Sequence, residues 1–136
     1  LHPGFEVIYP PLVLSEREII DFARDYDPQP LHIDPEYAAT TPFGRIIASG
    51  LHGYISHHRT YWVPGVQGHF VCGLGFDQVR FVKPLFADYP FACRLEIKSV
   101  DKKPERNRQA VHWQFNIINP TDGVLCWLQL STYHLL

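Results

Sequence analysis

The chain has 136 residues, with 12 Lys+Arg against 14 Asp+Glu and a formal charge of −2, which argues against a phosphate-binding skin and so against nucleic acid as a partner. Its length allows a single domain, residues 1–136, large enough to bury about two-thirds of the surface the unfolded chain exposes, and 46% apolar residues supply a core. Charged residues make up 19%, below the usual share of about 25%, a hint that a second subunit covers some surface.

Aromatic residues at 14% and 12 prolines favour strands and shaped loops over a helix bundle. No apolar run reaches 18 residues, so no membrane partner is expected. Cys72, Cys93 and Cys126 are odd in number, far apart and set in apolar, strand-like runs, which suits reduced, packed thiols in a cytoplasmic protein and not a disulfide framework or a CxxC metal site. There is no Met, so residue 1 reads as something other than the start of translation, and LHPGFEVIYPP lacks the regions of a signal peptide.

In chain order, Phe5 to Tyr9 reads as a short strand stopped by Pro10 and Pro11. Ser15 and Glu18 spell a capping box, and Ile19, Ile20, Phe22 and Ala23 supply an apolar stripe, which predicts a helix over Glu16–Arg24. Pro28 and Pro30 forbid its continuation. A short helix is expected from Pro35 to about Ala39, capped by Asp34. The segment Ile46–Thr60 has little polar face, which predicts a buried helix, with Ser49 able to cap it and Gly50 and Gly53 thinning it.

Beyond Gly68 the period changes to two. Val79 and Phe81, then Phe91, Cys93, Leu95 and Ile97, then Val111, Trp113, Phe115 and Ile117 alternate with polar neighbours, as half-buried strands do. Phe76 falls out of register with Val79, which predicts a bulge near Asp77-Gln78. Residues 119–123 read as a turn, and Val124–Leu135 as the last strand. The expected fold is α+β: one strand, helices, then four strands in an antiparallel meander curved around a buried helix.

The candidate chemistry lies in Asp27-Pro28-Gln29-Pro30-Leu31-His32-Ile33-Asp34. A carboxylate and an imidazole stand five residues apart in a stretch that the prolines bar from helix or central strand, so both side chains can converge at little ordering cost. The same spacing also suits a structural reading, in which Asp27 caps a turn and His32 makes a loop hydrogen bond. Ser49-Gly50, at the expected helix start, can offer free amides to a thioester carbonyl and hold the enolate that forms next to it. Alternatively, Gly50 and Gly53 serve only close helix-sheet packing.

Taken together, Phe22 to Leu51 resembles the hydratase motif of the MaoC-like, R-specific enoyl-CoA hydratases: Asp, four residues, His, then Asp, an Ala-rich turn, Phe, and a His-Gly or Ser-Gly at the helix start. GLGFDQVRFVKPL, residues 73–85, resembles members of that family less specifically. The resemblance implies a hot-dog fold, an antiparallel curved sheet wrapped around a long central helix and joined into a homodimer or higher homo-oligomer. It implies Asp27 and His32 as the catalytic pair, holding the water that adds to C3 of a trans-2-enoyl thioester or leaves in the reverse dehydration. Gly50 would donate its amide to the thioester oxygen, with Gln29, Ser49 and Leu51 beside the substrate. The substrate would be an acyl-CoA or an acyl-carrier-protein thioester, with no metal and no cofactor. Gln29 stands where many members carry Asn, and Ser49 where many carry His; both bear on the substrate more than on the reaction.

His52, His57 and His58 crowd one segment, but their spacing lacks the i,i+4 pair of a helical metal site, and His57-His58-Arg59 reads as a cationic helix end. Lys102, Lys103, Arg106 and Arg108 read as a solvated hairpin tip or as contacts for coenzyme A phosphates. Tyr61, Trp62 and Phe70 either line an acyl pocket or pack with one another. Two rival readings remain: a hot-dog thioesterase, for which residues 47–58 offer no carboxylate, and a non-catalytic subunit that binds acyl thioesters.

Overall fold

The computed structural model describes residues 1–136. A short strand β1 (Glu6–Ile8) precedes α1 (Glu16–Tyr26), α2 (Pro30–Ile33) and α3 (Pro35–Ala39). The central helix begins as α4 (His52–His57), passes through a π-helical turn at His58–Trp62 and ends as α5 (Val63–Val66). Four long strands follow: β2 (Phe70–Phe81), β3 (Ala92–Lys103), β4 (Arg108–Asn119) and β5 (Gly123–Leu135).

Local chemistry sets the small elements. Ser15 accepts from the Glu18 amide while Glu18 accepts from the Ser15 amide, closing the capping box and starting α1 where the sequence predicts. Asp34 accepts from the amides of Glu36 and Tyr37 and caps α3. The expectation that the prolines bar helix from residues 28–34 fails at α2. Pro30 occupies the first turn of that helix, where a missing N–H costs nothing, and His32 rides on the turn it starts.

The strands form one antiparallel sheet in the order β1-β3-β4-β5-β2. Only β3, β4 and β5 form a meander; the expected run of four does not, because β2 pairs with β5 at the far edge. The connection from β2 to β3 carries Pro84 and Pro90 and is tied elsewhere: the amides of Val82 and Lys83 donate to Leu125 O, and Phe91 bridges Leu12. The bulge near Asp77-Gln78 is present, with Gln78 at φ 51° and a register shift between Asp77 and Arg80.

Alternate residues of the meander face inward, among them Leu95, Ile97, Trp113, Phe115, Leu128 and Leu130, and they pack on Tyr54, Trp62 and Val66 of the central helix. A Cβ at Gly53 would stand 3.2 Å from Leu85 and 3.4 Å from Ile117, so that glycine does serve close helix-sheet packing. This is the hot-dog arrangement, a helix wrapped by a curved sheet.

The central helix lies later in the chain than expected. Residues 46–49 are not helical, and Gly50 belongs to a turn closed by the His52 amide on Ser49 O: Ile47 bridges Phe86, and the Ala48 amide donates to Leu85 O. Their backbone groups are committed to loops, so the helix starts only after Leu51, its N-cap, and Ser49 does not cap it. At the other end it runs to Val66, so His57, His58 and Arg59 lie mid-helix and not at a cationic terminus. All three cysteines are free. Cys93 and Cys126 are buried as expected, whereas Cys72 is exposed because it lies on the edge strand β2.

Candidate functional site

The corner between α1 and α2 brings the proline-framed residues together. Asp27 is the C-cap of α1, its amide donating to Ala23 O, and its own carbonyl accepts from the amide of Gln29, the N-cap of α2, so the chain turns through Pro28. The His32 ring is buried, and its Nδ1 lies 2.7 Å from Ile47 O. A carbonyl only accepts, so Nδ1 carries the hydrogen, and in the neutral ring Nε2 is the bare nitrogen. That nitrogen stands 3.4 Å from Asp27 Oδ2, whose carboxylate remains partly open to solvent. The Ser49 hydroxyl, itself buried, donates to the same Oδ2 at 2.6 Å.

These groups border a cavity of about 360 Å³. Asp27, His32, Ser49 and Gly50 form its polar wall, and Leu85, Ile117, Leu125 and Cys126 its buried apolar end. The Gly50 amide, one residue before the N-cap, makes no hydrogen bond within the chain. It lies at the positive end of the central helix dipole, the kind of place that attracts a developing oxyanion. An apolar pocket with a few convergent polar groups is the usual form of a small-molecule site.

Gln29 lines this cavity, and Ser49 lines it too, although its hydroxyl is spent on Asp27. Leu51 does not. It borders a separate outer groove with Phe22 and Tyr26, on the far side of Asp27, Gly50 and Phe81, because the chain turns outward there to begin the helix. Phe81 and Lys83 also line the cavity, and sequence reasoning missed both. The period-two pattern places Phe81 on the buried side of its strand; at 61% exposure it departs from that pattern. Lys83 donates to Asp122 O across the β4–β5 turn, a pairing 39 residues apart that no local pattern announces.

The clustered histidines diverge. His52 stacks on Phe22, His57 Nε2 faces Phe91 O, and His58 Nδ1 meets the Tyr54 hydroxyl. Burial pushes His52 and His57 each down to about 4, which keeps both neutral. The Lys/Arg hairpin spans the β3–β4 turn, nine residues or about 30 Å along β4 from Ile117, so its cations do not reach this cavity from the same chain. Tyr61 stacks on Tyr9, while Trp62 and Phe70 meet edge to face beside a separate apolar cavity of about 460 Å³.

The sequence pattern of the MaoC like domain matches residues 2–115. An uncharacterized protein of Bacillus subtilis, YdeM, is 31% identical over 101 residues, covering 74% of this chain and 70% of that protein. The 3-hydroxyacyl-thioester dehydratase Z of Mycobacterium tuberculosis is 34% identical over 82 residues, 54% of this chain and 51% of the dehydratase, so the match spans about half of each. Among solved structures, a MaoC-like dehydratase from Rhodospirillum rubrum superposes with a TM-score of 0.85 at 24% identity, over 99% of this chain and 93% of that one. The R-hydratase PhaJ1 of Pseudomonas aeruginosa superposes with a TM-score of 0.72 at 27% identity, over 96% and 80%.

Proposed function

The chain belongs to the MaoC-like dehydratase family, and from that premise we propose that it is a hydro-lyase adding water across the C2–C3 bond of a 2-enoyl thioester, or removing it from the 3-hydroxyacyl thioester. The observation that carries this reading is the approach of His32 Nε2 to Asp27 Oδ2 at 3.4 Å on the wall of an apolar-ended cavity. The separation is long for a direct hydrogen bond and suits two groups that share one water.

In the hydration direction the pair takes one proton from the water while its oxygen bonds to C3. The C2–C3 π electrons move toward the thioester carbonyl, and the Gly50 amide receives the oxyanion. The pair returns its proton to C2 as the enolate collapses, so the water's second hydrogen stays on the new hydroxyl. The apolar end of the cavity takes the acyl chain, and Gln29 lies beside the substrate. The carrier is coenzyme A or an acyl carrier protein, the setting is cytoplasmic, and no added cofactor takes part.

The working unit is a homodimer. β2 leaves a twelve-residue edge unpaired and exposes Phe70, Leu74 and Phe76, an arrangement that invites a second copy.

Asp27→Asn and His32→Ala should each lower crotonyl-CoA hydration by about two to four orders of magnitude while leaving the circular-dichroism melt in place. Unchanged rates in both variants would sink the assignment. Release of free thiol without hydration would favour a thioesterase, and tight acyl-CoA binding with neither reaction would favour a binding subunit.

A further inference from the structure

We propose that Ser49 is a positioning residue for this reaction: its hydroxyl holds the Asp27 carboxylate in one rotamer, facing His32. The inference rests on the reading of Asp27 and His32 as the acid-base pair. Nothing in the motif announces the role, since a serine next to a helix start ordinarily serves as a cap. Here the cap is Leu51, and the Ser49 oxygen lies 2.6 Å from Asp27 Oδ2 instead.

The segment 47–50, just ahead of the central helix, thus organises the whole site through three contributions. Ile47 O receives His32 Nδ1–H and fixes the tautomer. Ser49 Oγ–H anchors the carboxylate. The Gly50 amide is left without an internal acceptor. The segment is itself held in place, with the Ala48 amide on Leu85 O at 2.8 Å and Ser49 only 7% exposed. Both members of the pair are therefore oriented by one short piece of chain that touches neither α1 nor α2 in sequence.

Ser49 occupies one side of Asp27 Oδ2, and the mobile proton of the reaction belongs on His32 Nε2, the ring nitrogen that Ile47 leaves free. The other titratable groups on the cavity wall are Lys83 and Cys126. Lys83 is held by Asp122 O, and burial pushes the Cys126 thiol up to about 11, so neither competes for that proton.

The experiment compares the full chain with Ser49→Ala and Ser49→Thr in two ways. The Asp27 side-chain torsion is read from NMR couplings, which needs no turnover, and crotonyl-CoA hydration is measured in parallel. Ser49→Ala should spread the Asp27 side chain over more than one rotamer. It should also lower kcat at least about tenfold with KM within about twofold, as expected for losing a contact that orients the pair. Ser49→Thr, which keeps the hydroxyl, should restore both. A single, unchanged Asp27 rotamer in Ser49→Ala overturns the proposal whether or not the protein turns over. A raised KM with unchanged kcat also overturns it, since Ser49 would then be a substrate contact. Loss of the single rotamer in Ser49→Ala, with a wild type that hydrates nothing, fells the hydratase reading alone and leaves the hold on Asp27 standing.

Discussion

The ring of Phe81 lies on the α-carbon of Gly50: a Cβ built at residue 50 would stand 2.5 Å from Phe81 Cε1 and 2.7 Å from Cδ1 and Cζ. Glycine at this position therefore answers a steric demand from the end of β2, apart from any use of its amide. The two roles separate experimentally, because alanine keeps the N–H and adds only the methyl.

Gly50→Ala should cost up to about 1 kcal/mol of stability, since the exposed Phe81 ring can give way to the methyl, and the displaced ring should impair hydration. Combining it with Phe81→Ala removes the clash and should recover most of the stability. If activity returns with it, the Gly50 amide is sufficient; if the double variant is as unstable as Gly50→Ala alone, the ring contact is not the reason for glycine. Chemical denaturation of the three variants checks this.

Acid should weaken the fold through its buried histidines. Desolvation pushes His52, His57 and His134 each down to about 4, against an ordinary value near 6.5. The neighbouring His69, 3.0 Å away, adds to the lowering at His134. Between those values the unfolded chain binds more protons than the folded one, so stability is full above about pH 6.5 and is lost as pH falls toward 4. Each group is worth on the order of 1–3 kcal/mol over that window. Thermal melts at pH 7 and pH 5 should differ by several degrees, and His52→Phe, which preserves the stack on Phe22, should flatten the dependence. A melting temperature flat from pH 7 to pH 4.5 would contradict the assignment.

The exposed edge offers a third expectation. An edge strand whose first seven residues, Phe70 to Phe76, carry no charge is prone to pair with another chain. Light scattering should give twice the 15.7 kDa chain mass for the wild type, and Leu74→Lys should shift the population toward monomer with loss of activity. A monomeric, fully active wild type would remove the second copy from the proposed function.

What could be read early was what neighbouring residues settle between themselves. The capping box at Ser15 and Glu18, the Asp34 cap with Pro35 behind it, the alternation along β3 and β4 and the bulge at Gln78 all depend on contacts a few residues apart. So does the convergence of Asp27 and His32, which needed only a stiff corner of five residues.

The start of the central helix was misplaced because propensity in Ile46–Gly50 is overridden by bridges to Phe86 and Leu85, about 40 residues away. Phe81 was read from its own strand, and Ser49 from the helix behind it, while their real partners come from other elements.

By itself, then, the sequence determined most of the elements, the corner at which Asp27 meets His32 and the family, since each is written in short-range spacing and in a thirty-residue motif. Only the tertiary structure decided that β2 lies beside β5, that Phe81 rests on Gly50 and that Ser49 serves Asp27. Those three depend on how the sheet closes over the helix, and side chains brought together by closure are chosen by the packing of the whole core, not by the residues on either side of them.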